Sequence, residues 1–219
     1  MNKIRAVLFD MDGLLIDTES QNLRAAQEIG REMGFEIHIP TVARAVLGTR
    51  REVVVAAYGS MLPEGTDAAD FYERKNKRVR EIRAREGIRP CKGAPELLRW
   101  LTDHHIPCVL ATSTRSELVE TCLKEAGLAQ YFDLRITGSM VQNGKPHPET
   151  YLKAASLAGV PAEDCLVLED GFLGLQSGRA AGAVVGMVPD TLPYDALCEP
   201  YTDQVFESLL DVISWLEKE

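Results

Sequence analysis

The sequence predicts an α/β protein in which a parallel β-sheet carries a second, all-helical unit. Short apolar runs alternate with amphipathic helical patterns along most of the chain, an order typical of a parallel sheet with helices on both faces. A long helical stretch interrupts this alternation after the first apolar run. With 219 residues, of which 45% are hydrophobic, the chain is long enough for one large core and a smaller partner domain.

Five short apolar runs are the candidates for the strands of the sheet. Each is only a few residues long, and segments with helical periodicity separate them. The runs are Ala6 to Phe9, Cys108 to Ala111, Leu134 to Thr137, Cys165 to Leu168 and Ala183 to Val188.

The region from about Thr18 to Arg89 shows helical periodicity and no convincing strand. Apolar residues mark three helix faces: Leu23, Ala26, Ile29 and Met33; Val53, Val54, Ala57 and Met61; and Phe71, Val79 and Ile82. We therefore predict a Rossmann-like parallel sheet core, formed by residues 1–17 and 91–219, with an inserted all-helical cap domain, residues 18–90. Hinges are expected near residues 17–18 and 89–93, and the insertion is placed to act as a lid over a substrate.

Composition narrows the possible partners and locations. The net charge of −9 argues against a nucleic-acid polymer and leaves a small phosphorylated metabolite as the better-fitting partner. No apolar stretch approaches the roughly 20 residues of a membrane span, and a strand rather than a signal peptide opens the chain. We expect a cytoplasmic monomer without membrane association. The five cysteines include no C-x-x-C pair, so we expect reduced core residues and no structural zinc.

The acidic end of the first strand is the most informative motif. The apolar run of residues 4–9 ends in Asp10 and Asp12, and Gly13 follows directly. Open α/β sheets bind ligands at the carboxyl ends of their strands, so both carboxylates would project into a binding site and would require a hard cation such as Mg²⁺. An EF-hand loop is excluded because the glycine comes too early and a strand precedes it. A solvated turn remains the alternative for the isolated pair.

Two further segments reach the same predicted edge. The second strand ends in Thr112, Ser113 and Thr114, whose hydroxyls and amides suit a phosphate, although simple capping of the helix that begins near Ser116 is the alternative. The turn G-K-P-H-P at residues 144–148 holds Lys145, whose ammonium could neutralise a carboxylate and a phosphoryl oxygen together. We assign His147 to the turn rather than to the chemistry.

A second acidic pair completes the predicted site. The fourth strand ends in Glu169 and Asp170, at the edge that already holds Asp10 and Asp12. Four converging carboxylates would repel one another strongly without a cation, so the arrangement predicts a shared Mg²⁺. The absence of a G-x-x-x-x-G-K-[ST] loop argues against a nucleotide triphosphatase.

Taken in order, these motifs resemble those of the haloacid dehalogenase superfamily. The matching segments are F-D-M-D-G-L-L-I-D-T-E, L-A-T-S-T-R-S, G-K-P-H-P-E and L-E-D-G-x-x-G. The helical insertion resembles the cap of the β-phosphoglucomutase-like branch. The pieces D-M-D-G-L-L, L-A-T-S and M-V-P-D also resemble pseudouridine 5'-phosphatase relatives.

The resemblance implies a role for each core residue. Asp10 would be the nucleophile that forms an aspartyl-phosphate, and Asp12 would be the general acid and base. Thr112 and the Ser113 amide would hold the transferring phosphoryl group, and Lys145 would pair with that group and with Asp10.

The resemblance also implies the ligands of Mg²⁺. Asp10 and Asp170 would give carboxylates, Asp12 its backbone carbonyl, and Glu169 a carboxylate directly or through water. Two departures from the family pattern affect the surroundings: Gly171 replaces a common serine, and Gln176-Ser177 replaces a small apolar pair.

The cap residues decide between a phosphatase and a phosphomutase. Asn22 stands where mutases of this branch carry a histidine that activates the acceptor, which favours hydrolysis. Lys75 lies in a segment that resembles a mutase cap, in which a lysine contacts a distal phosphate. Lys75 and either Arg50 or Arg51 are the candidates to point at substrate, whereas most of the basic residues 73–86 belong to a solvated helix face.

We therefore expect a Mg²⁺-dependent phosphatase that acts on a small phosphorylated sugar or nucleoside monophosphate. The first alternative is a β-phosphoglucomutase-like phosphomutase. The second is a non-catalytic protein that binds a phosphometabolite, which the presence of Asp10, Asp12, Thr112, Lys145 and Asp170 disfavours.

Overall fold

The centre of the protein is a six-stranded parallel sheet, seen in a computed structural model that describes residues 4–38 and 51–218, without the side chains of residues 51 and 52. The strand order is β3-β2-β1-β4-β5-β6, and every neighbouring pair is parallel. The strands are β1 Ala6–Phe9, β2 Cys108–Ala111, β3 Leu134–Ile136, β4 Cys165–Glu169, β5 Val184–Met187 and β6 Gln204–Val205.

Eight α-helices lie in the described residues. They are α1 Glu19–Glu32, α2 Arg51–Met61, α3 Ala68–Glu86, α4 Ala94–Asp103, α5 Ser116–Glu125, α6 Glu149–Ala158, α7 Phe172–Ala180 and α8 Leu209–Leu216. Short 3-10 turns occur at Ala129–Tyr131, Gly138–Met140, Ala162–Asp164 and Glu199–Tyr201. None of the helices in these ranges is both long and apolar enough to cross a membrane.

Both faces of the sheet are covered by helices. Successive side chains of a strand point to opposite faces, so Val7 and Phe9 of β1 join the cluster with α4, α5 and α8, whereas Ala6 and Leu8 join the cluster with α6 and α7. All four residues are fully buried. Burial on two faces explains why β1 is an unbroken apolar run rather than an alternating one.

The predicted strands are present, with small differences at their ends. β3 ends one residue earlier than predicted, β4 extends by one residue to Glu169, and β5 is one residue shorter at each end. The sequence prediction missed β6, because its two residues, Gln204 and Val205, are not buried and form no apolar run. The predicted α/β fold class with a parallel sheet is confirmed.

The insertion between β1 and β2 is helical over its described residues. Its cluster of buried residues, mainly from α1, α2 and α3, centres on Phe71, whose ring lies 4.9 Å from that of Tyr58. The predicted apolar faces of α1 and α3 are largely buried. The predicted face of α2 is present in part: Val54 and Met61 pack partly buried against this cluster, whereas Val53 is 51% exposed. The buried side chains are Tyr58, which shares that side of the helix, and Leu62, just beyond its end.

Two linkers connect the insertion to the sheet, and they pair with each other. The Asp17 amide donates to the Arg89 carbonyl at 2.9 Å, and the Cys91 amide donates to the Leu15 carbonyl at 2.9 Å. The predicted hinge segments therefore lie side by side, at the point where the chain leaves the sheet and returns to it.

Candidate active site

The candidate site lies at the carboxyl ends of β1 and β4, the two central strands. From β1 the chain builds one half of the sheet and then returns to β4 to build the other, which makes this edge a topological switch point. The register pairs Phe9 with Leu168, and the Asp10 amide donates to the Leu168 carbonyl at 3.1 Å. Asp10 and Glu169, each next in sequence after these paired residues, are thereby placed at the same edge.

Lys145 links the two central strands. Its ammonium donates to Asp10 Oδ1 and to Glu169 Oε1, each at 2.6 Å, and the side chain is 1% exposed. The predicted contact between Lys145 and Asp10 is therefore present in the structure. The contact with Glu169 was not predicted.

The turn that carries Lys145 is anchored from α7. The Ser177 hydroxyl donates to the His147 carbonyl at 2.8 Å, and the Glu149 amide donates to His147 Nδ1 at 3.2 Å. Both contacts hold His147 within the turn itself. Ser177, one of the two departures from the family pattern, therefore holds the Lys145 turn in place through this hydrogen bond.

Tyr151 supports the same group of charges from α6. It is fully buried, its hydroxyl donates to Glu169 Oε1 at 2.5 Å, and its ring centroid lies 4.9 Å from Lys145 Nζ. The sequence prediction missed it because a tyrosine on an apolar helix face is not distinguished by pattern from an ordinary core residue.

Two glycines allow the acidic residues to approach the backbone. A Cβ at Gly174 would lie 1.8 Å from Glu169 Oε1, and a Cβ at Gly13, which has a φ of +85°, would lie 2.3 Å from Asp170 Oδ2. A Cβ at Gly171 would meet no atom closer than 3.9 Å, so space does not require glycine there.

Two hydroxyls hold the carboxylate of Asp12. Thr18 Oγ1 donates to Asp12 Oδ1 and Thr114 Oγ1 donates to Asp12 Oδ2, each at 2.6 Å. Asp12 is half-buried, whereas Asp10 is 4% exposed. The threonines come from the start of the insertion and from the loop after β2, so they join both regions to one side chain.

The loop after β2 lies next to this carboxylate. Thr112 is 1% exposed, and its hydroxyl accepts a hydrogen bond from the Thr114 amide at 3.0 Å. Ser113 is half-buried, and its carbonyl would be 2.1 Å from a Cβ at Gly138, so the two loops approach closely there. Thr114, predicted to bind substrate, directs its hydroxyl to Asp12.

The insertion contributes a second polar group near the site. Lys75 is 6% exposed, and its ammonium donates to Asn22 Oδ1 at 3.1 Å. It is the only buried side chain among the seven lysines and arginines of residues 73–86, all of which the structure describes. Arg50 lies outside the described residues, as does the side chain of Arg51 at the start of α2.

The buried charges shift one another's protonation. Burial raises the pKa of Asp10 to about 7 against the opposing effect of the Lys145 ammonium, and burial with the charge of Asp10 raises the pKa of Asp170 well above its usual range. Burial lowers the pKa of Lys145, but the carboxylates of Asp10 and Glu169 outweigh it and the net shift is upward. Negative charge therefore exceeds positive charge in this cluster.

Such an excess of carboxylates fits a cation. Asp10, Glu169 and Asp170 each offer a carboxylate oxygen, and the three oxygens lie within 4.8 Å of one another. Two ligands on opposite sides of Mg²⁺ stand about 4 Å apart, so one ion could contact all three. Asp170 is 3% exposed and accepts no hydrogen bond within the described part of the chain, as expected of a residue that a cation would engage.

Comparisons with known proteins agree with this geometry. A family model described as haloacid dehalogenase-like hydrolase matches residues 7–188. A Thermotoga maritima protein named phosphorylated carbohydrates phosphatase is 32% identical over 183 residues, which cover 82% of each chain. A Drosophila melanogaster protein named probable pseudouridine-5'-phosphatase is 36% identical over 203 residues, which cover 87% of this chain and 84% of the relative.

Solved structures give the same result. A haloacid dehalogenase family hydrolase from Deinococcus radiodurans, with bound phosphate and sodium, superposes with a TM-score of 0.82 at 27% identity, over 100% of this chain and 97% of the other. The chain belongs to the haloacid dehalogenase-like hydrolases. The predicted family and the predicted enzyme class, a phosphoric monoester hydrolase, are confirmed.

Proposed function

We propose that the protein is a Mg²⁺-dependent phosphatase that hydrolyses a small phosphorylated sugar or nucleoside monophosphate through an aspartyl-phosphate. The observation that carries this proposal is the position of Asp10, which ends the central strand, bonds to Lys145 and shares the acidic cluster with Glu169 and Asp170. The names of the similar proteins, a phosphatase of phosphorylated carbohydrates and a probable pseudouridine-5'-phosphatase, support this class of substrate.

Asp10 would act as the nucleophile. Its carboxylate oxygen attacks phosphorus, a P–O bond to Asp10 forms, and the P–O bond to the leaving group breaks. Lys145 holds Oδ1 of the attacking carboxylate, so it fixes the orientation of the group and offsets the negative charge that phosphate brings. Thr112, Ser113 and Thr114, which form the loop after β2 beside Asp12, would contact the phosphoryl oxygens.

Asp12 would move the protons. It donates a proton to the leaving oxygen in the first step and takes one from the water that attacks the aspartyl-phosphate in the second. The hydrogen bonds from Thr18 and Thr114 orient its carboxylate for both transfers. Since Thr18 begins the insertion, movement of the proposed cap, residues 18–90, would be communicated to this group.

Asp10, Glu169 and Asp170, together with the backbone carbonyl of Asp12, would hold Mg²⁺. When bound, the ion supplies positive charge that offsets the charge of the phosphoryl oxygens. It would also favour the ionised form of Asp10, which the nucleophilic step requires.

A phosphate-release assay over a panel of sugar phosphates and nucleoside monophosphates tests the proposal. We expect release that requires Mg²⁺ and stops with a chelator, and we expect Asp10→Asn to lower kcat by about a thousandfold or more without loss of folding. The control is Asp103→Asn, which changes an exposed residue of α4. Absence of release from every compound, or an active Asp10→Asn variant, would contradict the proposal.

A phosphomutase is the second candidate, and one observation favours it. Lys75 is buried and donates to Asn22, and it lies in the segment that resembles a mutase cap, in which a lysine contacts a distal phosphate. Supplying a hexose 1-phosphate with a bisphosphate activator separates the two activities. Formation of the 6-phosphate faster than free phosphate would establish the mutase.

A further inference from the structure

Glu19 is a buried acidic residue to which the proposed mechanism gives no role. It is the first residue of α1 and follows Thr18, which donates to Asp12. A glutamate in the first turn of a helix is usually exposed, yet Glu19 is only 8% exposed. Its Cγ lies 3.2 Å from the position that a Cβ would take at Gly13, so the side chain lies against the loop of Asp10 and Asp12.

The carboxyl group of Glu19 has no bonding partner among the described residues. Within the ranges that the structure describes, it forms neither a hydrogen bond nor an ion pair. The negative charges that act on it are those of Asp12 and Asp10, and the positive charges are those of Lys75 and Arg83. The fully buried side-chain polar atoms that lack a hydrogen bond in the described residues are Asp17 Oδ1 and Arg179 Nε, so the oxygens of Glu19 keep some contact with solvent. An acceptor that is largely buried but open at its end is placed to bond a ligand.

Lys75 presents unused donors to the same region. An ammonium has three N–H donors, and the hydrogen bond to Asn22 uses one of them. The Asn22 amide in turn donates to the Thr18 carbonyl at 3.0 Å, which fixes the orientation of its oxygen. A carboxyl acceptor and an ammonium donor therefore lie near each other, beside the catalytic loop.

We propose that Glu19 determines specificity by accepting a hydrogen bond from a hydroxyl group of the leaving group, while Lys75 donates to the same hydroxyl or to its neighbour. A hydroxyl is both donor and acceptor and therefore satisfies both side chains. A second phosphate would instead meet the nearby negative charges of Asp12 and Asp10, and an apolar leaving group would leave Glu19 without a hydrogen-bonding partner. The inference deepens the proposed function, on which it rests: the substrate is the phosphate ester of a polyhydroxylated sugar or polyol.

The test compares substrates that have or lack the relevant hydroxyl groups. Initial rates are measured for D-fructose 1-phosphate, D-ribose 5-phosphate and D-glucose 6-phosphate, for the 2-deoxy forms of the last two, and for p-nitrophenyl phosphate. The variants are Glu19→Ala and Glu19→Gln, and the control is Glu36→Ala, whose side chain is 75% exposed. Folding of each variant is checked by circular dichroism.

We expect the ratio of kcat/KM for the preferred sugar phosphate to that for p-nitrophenyl phosphate to fall about tenfold or more in Glu19→Ala. The ratio should fall less in Glu19→Gln, which keeps an acceptor oxygen, and should not change in Glu36→Ala.

Three results would overturn the inference while leaving the phosphatase proposal in place. These are equal losses on all substrates, unchanged ratios, and a wild-type protein that hydrolyses p-nitrophenyl phosphate but no sugar phosphate. No release from any compound by the wild-type protein would overturn the proposed function and this inference with it.

Discussion

Two buried groups of charge lie side by side in this protein, and they differ in how they are paired. The strand-end cluster consists of Asp10, Lys145, Glu169 and Asp170, and in it one ammonium bonds two carboxylates at 2.6 Å each. In the cap-side cluster, formed by Glu19, Lys75 and Asn22, the described residues give the carboxyl group no partner and the ammonium a single hydrogen bond at 3.1 Å.

The difference corresponds to two parts of one reaction. Attack on phosphorus is common to every phosphate ester, so the groups proposed for it can be held in place before substrate binds. The leaving group differs between esters, so the groups proposed to recognise it keep unused hydrogen-bonding capacity until the right ester arrives. Variants in the strand-end cluster should therefore affect all substrates alike, and variants in the cap-side cluster should affect them unequally.

Lys145→Met gives the largest effect in this comparison. Loss of the ammonium leaves Asp10 and Glu169 without their shared partner, and we expect kcat to fall about a hundred- to a thousandfold on every substrate. Steady-state kinetics on sugar phosphates and on p-nitrophenyl phosphate measure this fall in kcat. Lys124→Met, at a side chain that is 67% exposed, is the control. If Lys145→Met lowered kcat on only some substrates, the strand-end cluster would not act on all esters alike, and the distinction between the two clusters would fail.

Gly174→Ala tests how closely the strand-end cluster is packed. The new Cβ would lie 1.8 Å from Glu169 Oε1, so Glu169 has to move, and we expect kcat to fall about tenfold or more together with Tm. Gly59→Ala, on α2, is the matched control because its Cβ meets nothing closer than 3.8 Å. Equal behaviour of the two variants would show that Glu169 tolerates displacement.

Tyr151→Phe removes one hydrogen bond and keeps the ring. Because the hydroxyl orients Glu169, we expect the Mg²⁺ concentration for half-maximal activity to rise about tenfold. Binding of Mn²⁺, followed by electron paramagnetic resonance, should weaken in parallel, with Tyr194→Phe, at a residue that is 40% exposed, as the control. Unchanged metal affinity would show that the Tyr151 hydroxyl does not orient Glu169 for metal binding.

The smallest effect concerns the stability of the metal-free protein at different pH values. Burial and the charge of Asp12 raise the pKa of Glu19 to about 8, so the folded state binds more protons than the unfolded state between about pH 5 and pH 8. Stability therefore falls as pH rises through this range. In Glu19→Gln the fall in Tm should be a few degrees smaller, whereas Glu36→Gln should follow the wild type. If Tm depends on pH identically in all three proteins, the raised pKa of Glu19 is contradicted.

The strand-end cluster could be predicted from sequence more fully than the cap-side cluster. Asp10 directly follows β1 and Glu169 ends β4, so parallel pairing brings these two residues to one edge. Lys145 sits in a turn of restricted residues that delivers its ammonium to both. Tyr151 could not be predicted, because its contact with Glu169 depends on how α6 packs on the sheet.

The cap-side contacts depend on packing between helices that lie far apart in sequence. Lys75 reaches Asn22 across 53 positions, through the angle between α1 and α3. Periodicity shows which face of a helix is apolar but not which polar side chain at its margin turns inward. For that reason Lys75 was predicted among several candidates, and Glu19 was not predicted at all.

The central claim is that Asp10 accepts the phosphoryl group, and trapping the intermediate tests it most directly. The protein is mixed with Mg²⁺ and ³²P-labelled substrate from the panel, quenched in acid within milliseconds, and digested for peptide mapping. We predict a hydroxylamine-labile label on the peptide that contains Asp10, absent from Asp10→Asn. Label on another residue, or rapid release of phosphate with no labelled protein at any time point and full activity in Asp10→Asn, would contradict the account.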